Sequence, residues 1–293
     1  MNDIHAFFKE NGYAILRSAF SGDQLEQLCA RGHALRDRAD RELPDGVRYV
    51  DKMHQDADHS WGVNEITRPG WFDPVLVNAI AAPALLGALH DLLGAPRAWG
   101  QKMLWAPRGA EYKLHWHRDI DHKYDALMPF KDDRNDHVQF NGALEEDDSF
   151  VVVPKSHRRP ILPEEIEALG AEHRGDLPGQ VRVHLRPGDV VMMDAHALHR
   201  GSARAGAPRL SLHFSFQADW VPLRPWGTPS DFAWIQSDAF IEQLHEDVRP
   251  MYLRLRDAER LGEADNHMAW LEQQASSNGF AGELVSPWPP RGM

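Results

Sequence analysis

Arg209-Leu210-Ser211-Leu212-His213-Phe214-Ser215-Phe216-Gln217-Ala218 is the stretch on which the fold turns. Leu210, Leu212, Phe214 and Phe216 alternate with Ser211, His213, Ser215 and Gln217, and a period of two separates these sets onto opposite faces of a strand. Upstream, Val190 to Asp194 and Val181 to Leu185 flank Arg186-Pro187-Gly188-Asp189. Proline second and glycine third specify a type II turn, so the sequence predicts a hairpin there. Ser149 to Val153, Val138 to Leu144, Tyr112 to Asp119, and a strand from Trp99 with Gln101, Met103 and Trp105 on one face extend the series. Short strands joined by turns, with no helical pattern between them, predict an antiparallel double sheet or barrel.

Outside this region the pattern is helical. Asp3 to Asn11 places Ile4, Phe7 and Phe8 on one face and is followed by Gly12, then a short strand over Tyr13 to Leu16. Ser21 and Gln24 form a capping-box pair for a helix to about Ala39, with Leu25, Leu28 and Cys29 inward. Pro74 to Leu93 is a further helix, Ser237 to Val248 another, and Met251 to Leu261 a third after a break at Pro250. The expected organisation is a single domain over 1–293: a helical N-terminal part to about 95, a β core over about 96–220, and a helical C-terminal extension.

The 293 residues carry 32 Lys and Arg against 44 Asp and Glu, a net charge of −12, which disfavours a sequence-independent grip on nucleic-acid phosphates. Cys29 is the single cysteine, which excludes a disulfide framework and any cysteine-built metal site. No run approaches the roughly 20 apolar residues of a membrane span, and Met1 to His5 lacks the pattern of a secretion signal. A cytoplasmic protein with neither nucleic-acid nor membrane partners is expected.

Chemistry enters with the histidines. On a strand, His-x-Asp presents both side chains on one face, and a second histidine from a neighbouring strand completes the facial triad associated with non-haem Fe(II) oxygenases. Three such pairs occur: His54/Asp56, His117/Asp119 and His245/Asp247. His245 sits in a helical pattern with only His267 after it, and His54 lies in a polar stretch ahead of the sheet. His117 ends a strand with the sheet still to come, which favours His117 and Asp119 as metal ligands. His199, just past the Val190 to Asp194 strand, is the expected third, with His196 as its rival. Ten residues after His199, Arg209 opens the last strand, where its guanidinium can hold a carboxylate by two parallel hydrogen bonds with the Ser211 hydroxyl beside it. That pairing suits the distal carboxylate of a cosubstrate such as 2-oxoglutarate.

Together with Val152-Val153-Pro154-Lys155-Ser156-His157, Gly188-Asp189, His199-Arg200-Gly201-Ser202 and the opening Phe7-Phe8-Lys9-Glu10-Asn11-Gly12-Tyr13, these residues resemble the phytanoyl-CoA dioxygenase family over roughly residues 4 to 217. The resemblance implies a double-stranded β-helix (jelly-roll, cupin-like) core with helices packed outside it, in the α+β class. It also implies Fe(II), 2-oxoglutarate and dioxygen as the chemical partners of a hydroxylating dioxygenase. Related halogenases have a small residue in place of the carboxylate, so Asp119 argues for oxygenation. The family pattern further makes Gln101, Gln139 and Asn141 candidate cofactor- or substrate-pocket residues on inward strand positions, and suggests a polar or anionic small-molecule substrate. Trp105 and Trp116 read chiefly as packing, Arg200 and Arg204 as solvated turn charges, and Lys155 to Arg159 as a basic surface turn. The stretches Arg41 to Pro69 and Trp220 to Trp234 are long enough to close over a pocket mouth. Rival readings are a zinc hydrolase using the same His/Asp/His set, and a non-catalytic cupin-like binding protein.

Overall fold

The computed structural model describes residues 2–42, 47–50, 56–119, 134–168, 175–224 and 229–277. In chain order these form α1 (Asn2–Asn11), β1 (Tyr13–Leu16), α2 (Gly22–Glu42), β2 (Arg48–Val50), β3 (Ser60–Val63), α3 (Pro74–Val77), α4 (Pro83–Leu93), β4 (Pro96–Trp105) and β5 (Tyr112–Lys113). There follow β6 (His137–Ala143), β7 (Phe150–Val152), α5 (Pro163–Ala168), β8 (Val181–Arg182), β9 (Val190–Asp194), β10 (His199–Ala203), β11 (Leu210–Ala218), α6 (Asp238–Ile241), α7 (Arg249–Arg260) and α8 (Glu263–Ser277).

Two antiparallel sheets result. The larger runs β1-β9-β6-β11-β4-β3-β2 and the smaller β5-β10-β7-β8, the double-sheet architecture that the strand pattern predicts. The alternation in β11 divides its two environments. Leu210, Leu212, Phe214 and Phe216 join Met103, Trp105, Val138 and Phe140 against a helical layer that includes Leu28, Leu85, Leu89, Met251 and Leu255. Burying each such side chain contributes about 1.5–3 kcal/mol. The other face of the large sheet looks toward the small sheet, where Val191 and Met193 pack with Phe150 and Val152.

The N-terminal third is less purely helical than expected, because β1 pairs with β9 and β3 with β4, so β1 on one side and β3 with β2 on the other flank the large sheet. In α1 only Phe8 of the predicted apolar face is buried; Ile4 and Phe7 are 40% and 45% exposed. The helix predicted over 74–93 is broken. Pro83 has no N–H to continue it and Ala82 is extended (ψ 124), so α4 starts afresh. The predicted hairpin is also corrected. The turn forms, with Gly188 at φ +90 and the Asp189 N–H donating to Arg186 O (2.9 Å), but β8 and β9 belong to different sheets. The Gly188 N–H donates to Ala143 O (2.8 Å) and a Cβ there would stand 2.3 Å from Phe20 O, so this turn is a corner tied to the large sheet.

At the C-terminal end the helix predicted over 237–248 shortens to α6. The Asn78 side chain accepts the His245 N–H (2.7 Å) and donates to Gln243 O (3.2 Å), holding those residues in turns. Pro250 starts α7 instead of breaking a helix, since a missing N–H costs nothing in the first turn. Beyond Leu261 the helical extension continues in α8, where the described buried residues are His267 and Leu271. Among the described residues no single helix is long and apolar enough to cross a membrane.

Candidate metal centre

Between the two sheets lies a cavity of about 160 Å³ lined by Lys102, Leu104, Asn141, Met193 and His213 of the large sheet and by Tyr112, Phe150, His199 and Gly201 of the small one. His117 and Asp119 also line it. The predicted strand over 112–119 is short: only Tyr112–Lys113 is regular, and His117 reaches β10 through one isolated bridge to His199. That bridge exchanges both backbone hydrogen bonds, at 3.0 and 2.9 Å, which fixes the imidazoles side by side with ring centroids 4.4 Å apart. Asp119 is held by its own N–H, which donates to Ala195 O at 3.1 Å.

The donor atoms converge. His199 Nε2 is 3.2 Å and His117 Nε2 is 3.8 Å from the Asp119 carboxylate, and the ligating atoms of all three residues fall within 4.8 Å of one another. Each histidine spends its Nδ1 proton on a backbone carbonyl: His117 on His115 O and His199 on Ala197 O, both at 2.9 Å. The Nε2 lone pairs are thereby aimed at the carboxylate, the arrangement that metal-binding histidines require. Asp119 Oδ2 is buried and accepts no hydrogen bond. Burial pushes the Asp119 carboxyl up, but His199 and His117 outweigh it and hold the group well below the usual carboxylate range. Burial and the neighbouring His199 push His117 down to about 4, which keeps it neutral. A buried carboxylate oxygen without a donor, facing two imidazole nitrogens, fits a divalent cation.

Arg118, between the two ligands, turns to the opposite side, where Nη2 donates to Ser156 O (2.9 Å) and Arg159 O (3.0 Å). Ser156 itself is fully buried; its hydroxyl accepts the Leu198 N–H (2.7 Å) and donates to Val153 O (2.6 Å). The predicted basic surface turn is thus in part a brace under His199, while its Lys155 makes an exposed ion pair with Glu10. Arg200 corrects the solvated-charge reading too. It is 0% exposed, stacks 4.5 Å from the Trp116 ring, and pairs with Asp176.

Arg209 also lines the cavity, 5% exposed, with its Cζ 5.3 Å from the Tyr112 ring centre. Asp147 Oδ2 is 3.6 Å from its Nε, yet neither Nε nor Nη1 makes a hydrogen bond. Nε and Nη1 of a buried guanidinium therefore await an acceptor. Ser211 departs from expectation: its hydroxyl donates to Asp147, so its proton is committed to orienting the acid beside Arg209. Asp147, which sequence reasoning missed, is 3% exposed and is also held by the Ser149 N–H (2.8 Å).

Of the three inward candidates, Asn141 lines the cavity and its Oδ1 accepts the His213 Nδ1 proton at 2.6 Å. Gln139 shares that sheet face but does not line the cavity. Gln101 is corrected outright: it is paired with Phe214 on the helix-covered face, and its neighbour Lys102, paired with His213, faces the cavity. Trp105 and Trp116 pack in apolar clusters, as read. The polar stretch contributes Tyr49 and Trp61, stacked 4.3 Å apart at 9°, to the cavity wall. No described residue of the 220–234 stretch lines it. Gly201 belongs to this wall as well, where a Cβ would meet the Tyr112 ring at 2.6 Å. His54 lies outside the described residues, and His245 pairs with Asp247 on the surface.

The family model for phytanoyl-CoA dioxygenase matches residues 8–211. Among solved structures, EctD from S. alaskensis with 2-oxoglutarate and 5-hydroxyectoine is similar at 21% identity, TM-score 0.60, over 80% of this chain and 82% of that one. AviO1 from Streptomyces viridochromogenes Tue57 is 17% identical with a TM-score of 0.61, over 76% and 97%. HygX from Streptomyces hygroscopicus, with nickel and 2-oxoglutarate bound, is 18% identical with a TM-score of 0.55, over 75% and 88%. At these identities the likeness speaks to the fold. No curated protein matches the sequence.

Proposed function

Because the chain belongs to the phytanoyl-CoA dioxygenase family, we propose that it is an Fe(II)- and 2-oxoglutarate-dependent dioxygenase that hydroxylates a small-molecule substrate. One observation supports this above the rest: the His117/Asp119/His199 cluster shares its cavity with a buried guanidinium that lacks hydrogen-bond acceptors on two of its nitrogens. A zinc hydrolase has use for the cluster but none for Arg209.

In this reading His117 Nε2, Asp119 and His199 Nε2 hold the ferrous ion. The Arg209 guanidinium receives the distal carboxylate of 2-oxoglutarate through its N–H groups, and the Tyr112 ring supports the guanidinium. When bound, the ion, 2-oxoglutarate and dioxygen supply oxidative decarboxylation to succinate and CO2 and the oxidising power for a substrate C–H bond. The chain supplies position. Asp147 aligns Arg209, the Ala195 and Ala197 carbonyls orient two ligands, and Ser156 fixes the loop before His199. Lys102 with the Tyr49 and Trp61 rings supports a polar or anionic substrate with a flat or apolar body.

The test is a screen of polar and anionic metabolites for 2-oxoglutarate-dependent oxygen consumption, followed by 18O2 tracing. The expected result is one labelled oxygen in succinate and one in the product. Label in succinate alone rejects hydroxylation, and turnover that continues without dioxygen rejects the oxygenase class.

A further inference from the structure

His213 lines the metal cavity, yet neither the metal ligands nor the Arg209 anchor has use for it. We infer that Lys102 and His213 together select the substrate, and that this substrate is a hydroxylated small-molecule anion. Its carboxylate or phosphate meets Lys102, and its hydroxyl donates to His213 Nε2. The inference rests on the oxygenase reading and names the substrate class for it.

Strand register places the pair. His213 on β11 stands opposite Lys102 of β4 on one side and Asn141 of β6 on the other, so the three form one row across the large sheet. All three line the cavity that also holds His117, Asp119 and His199. Arg209 comes four residues before His213, about 13 Å back along an extended strand, so this row and the 2-oxoglutarate anchor are separate contacts.

The imidazole offers a ligand an acceptor. Its Nδ1 donates to Asn141 Oδ1 at 2.6 Å, which leaves the lone pair on Nε2. Burial and the neighbouring Lys102 push the ring down to about 3, so it stays neutral and keeps that lone pair. An acceptor nitrogen repels a carboxylate, so neither end of 2-oxoglutarate suits it; its complement is an O–H or N–H of the substrate. An ammonium group would stand against Lys102, the residue opposite in the register, and a hydroxyl is therefore the donor that fits. Lys102 supplies the charge for the anionic group. It stands beside the Tyr49 hydroxyl and its charge acts on Glu65, but among the described residues it forms no ion pair. The stacked Tyr49 and Trp61 rings wall in the carbon body. A site built to hydrogen-bond a substrate hydroxyl rejects the analogue without it, because the protein group is then left unpaired.

The test uses full-length protein loaded with Fe(II) and 2-oxoglutarate, and reads substrate-triggered oxygen uptake. The probes are hydroxy carboxylates and sugar phosphates, each matched with its deoxy, amino and uncharged counterparts. The expected trigger carries both groups, and its deoxy counterpart is weaker in kcat/KM by about tenfold, the scale of one hydrogen bond. His213→Phe should bring that ratio close to one, and His213→Gln, which keeps an acceptor, should restore part of it. A merely structural role for His213 slows both members of a pair alike and leaves the ratio where it was. Lys102→Met should erase the preference for the anion over its neutral counterpart. Uptake triggered by compounds that lack the hydroxyl or the charge overturns the proposal, as does a set in which no hydroxylated anion triggers uptake; neither result needs a variant to fold. It is also overturned if Lys102→Met loses 2-oxoglutarate as fully as Arg209→Met, which makes Lys102 part of the cosubstrate site. The oxygenase reading is tested apart from this, by the chelate band and by slow conversion of 2-oxoglutarate to succinate without substrate, so the two failures are distinguishable.

Discussion

Replacing Arg209 by methionine keeps much of the side-chain volume while removing the fork. Charge-assisted hydrogen bonds are worth about 1.5–3 kcal/mol each, so losing two removes about 3–6 kcal/mol of 2-oxoglutarate binding. That is a rise in Kd of roughly 10²- to 10⁴-fold. The cost to the fold is smaller, because Asp147 keeps the Ser149 N–H and the Ser211 hydroxyl after its 3.6 Å pairing with Arg209 is gone. Arg209→Lys retains the charge but not the planar pair of donors, and should fall between wild type and Arg209→Met. The assay is anaerobic titration of Fe(II)-loaded protein with 2-oxoglutarate, following the visible charge-transfer band of the chelate. Iron content measured alongside should be unchanged, since Arg209 touches none of the three ligands. An Arg209→Met protein that binds 2-oxoglutarate within threefold of wild type refutes the assignment of the anchor.

Further outcomes follow from the same geometry. His199→Ala should lose iron on dialysis, whereas His196→Ala should retain it; elemental analysis of both distinguishes the neighbouring histidines. Asp147→Asn should raise the apparent KM for 2-oxoglutarate about tenfold, the scale of losing one weak orienting contact, with iron content unchanged. Glu65, 2% exposed, is pushed up to about 7 from 4.5 by burial, despite Lys102 and the Gln101 N–H. Between those values the folded state holds a proton that the unfolded chain has released, so stability falls as pH rises, by an order of 3 kcal/mol in all. Thermal unfolding from pH 4.5 to 8 should show this decline, and Glu65→Gln should flatten it; an unchanged slope in the variant removes Glu65 as the cause.

Much of the architecture was legible because β11 alternates without a fault, and a period-two pattern buried on both faces leaves little choice but a sheet between two layers. The His-x-Asp spacing singled out His117 and Asp119, but the structure brings them together through the isolated bridge of His117 to His199 and the Asp119 N–H on Ala195 O, not through a regular strand. Gln101 shows where that logic slips. The face of β4 was read from a polar residue taken as inward, but Met103 and Trp105, on the same face, go to the larger apolar layer and carry Gln101 with them. Lys102 was the cavity residue, and a one-position error in facing sends every side chain to the wrong side. Asp147, Ser156 and Arg118 were unreadable for another reason: their roles depend on contacts 38 to 64 residues away in sequence. The Pro187-Gly188 turn carried its own type but not its destination. Its Gly188 N–H bonds to Ala143, and that partner decides between a hairpin and a corner.

The central claim is best tested by iron-edge anomalous diffraction from crystals loaded anaerobically with Fe(II) and 2-oxoglutarate. The account predicts iron density between His117 Nε2, Asp119 and His199 Nε2, with the 2-oxoglutarate distal carboxylate on the Arg209 fork. Iron found elsewhere with these three side chains unligated, or 2-oxoglutarate turned away from Arg209, contradicts it.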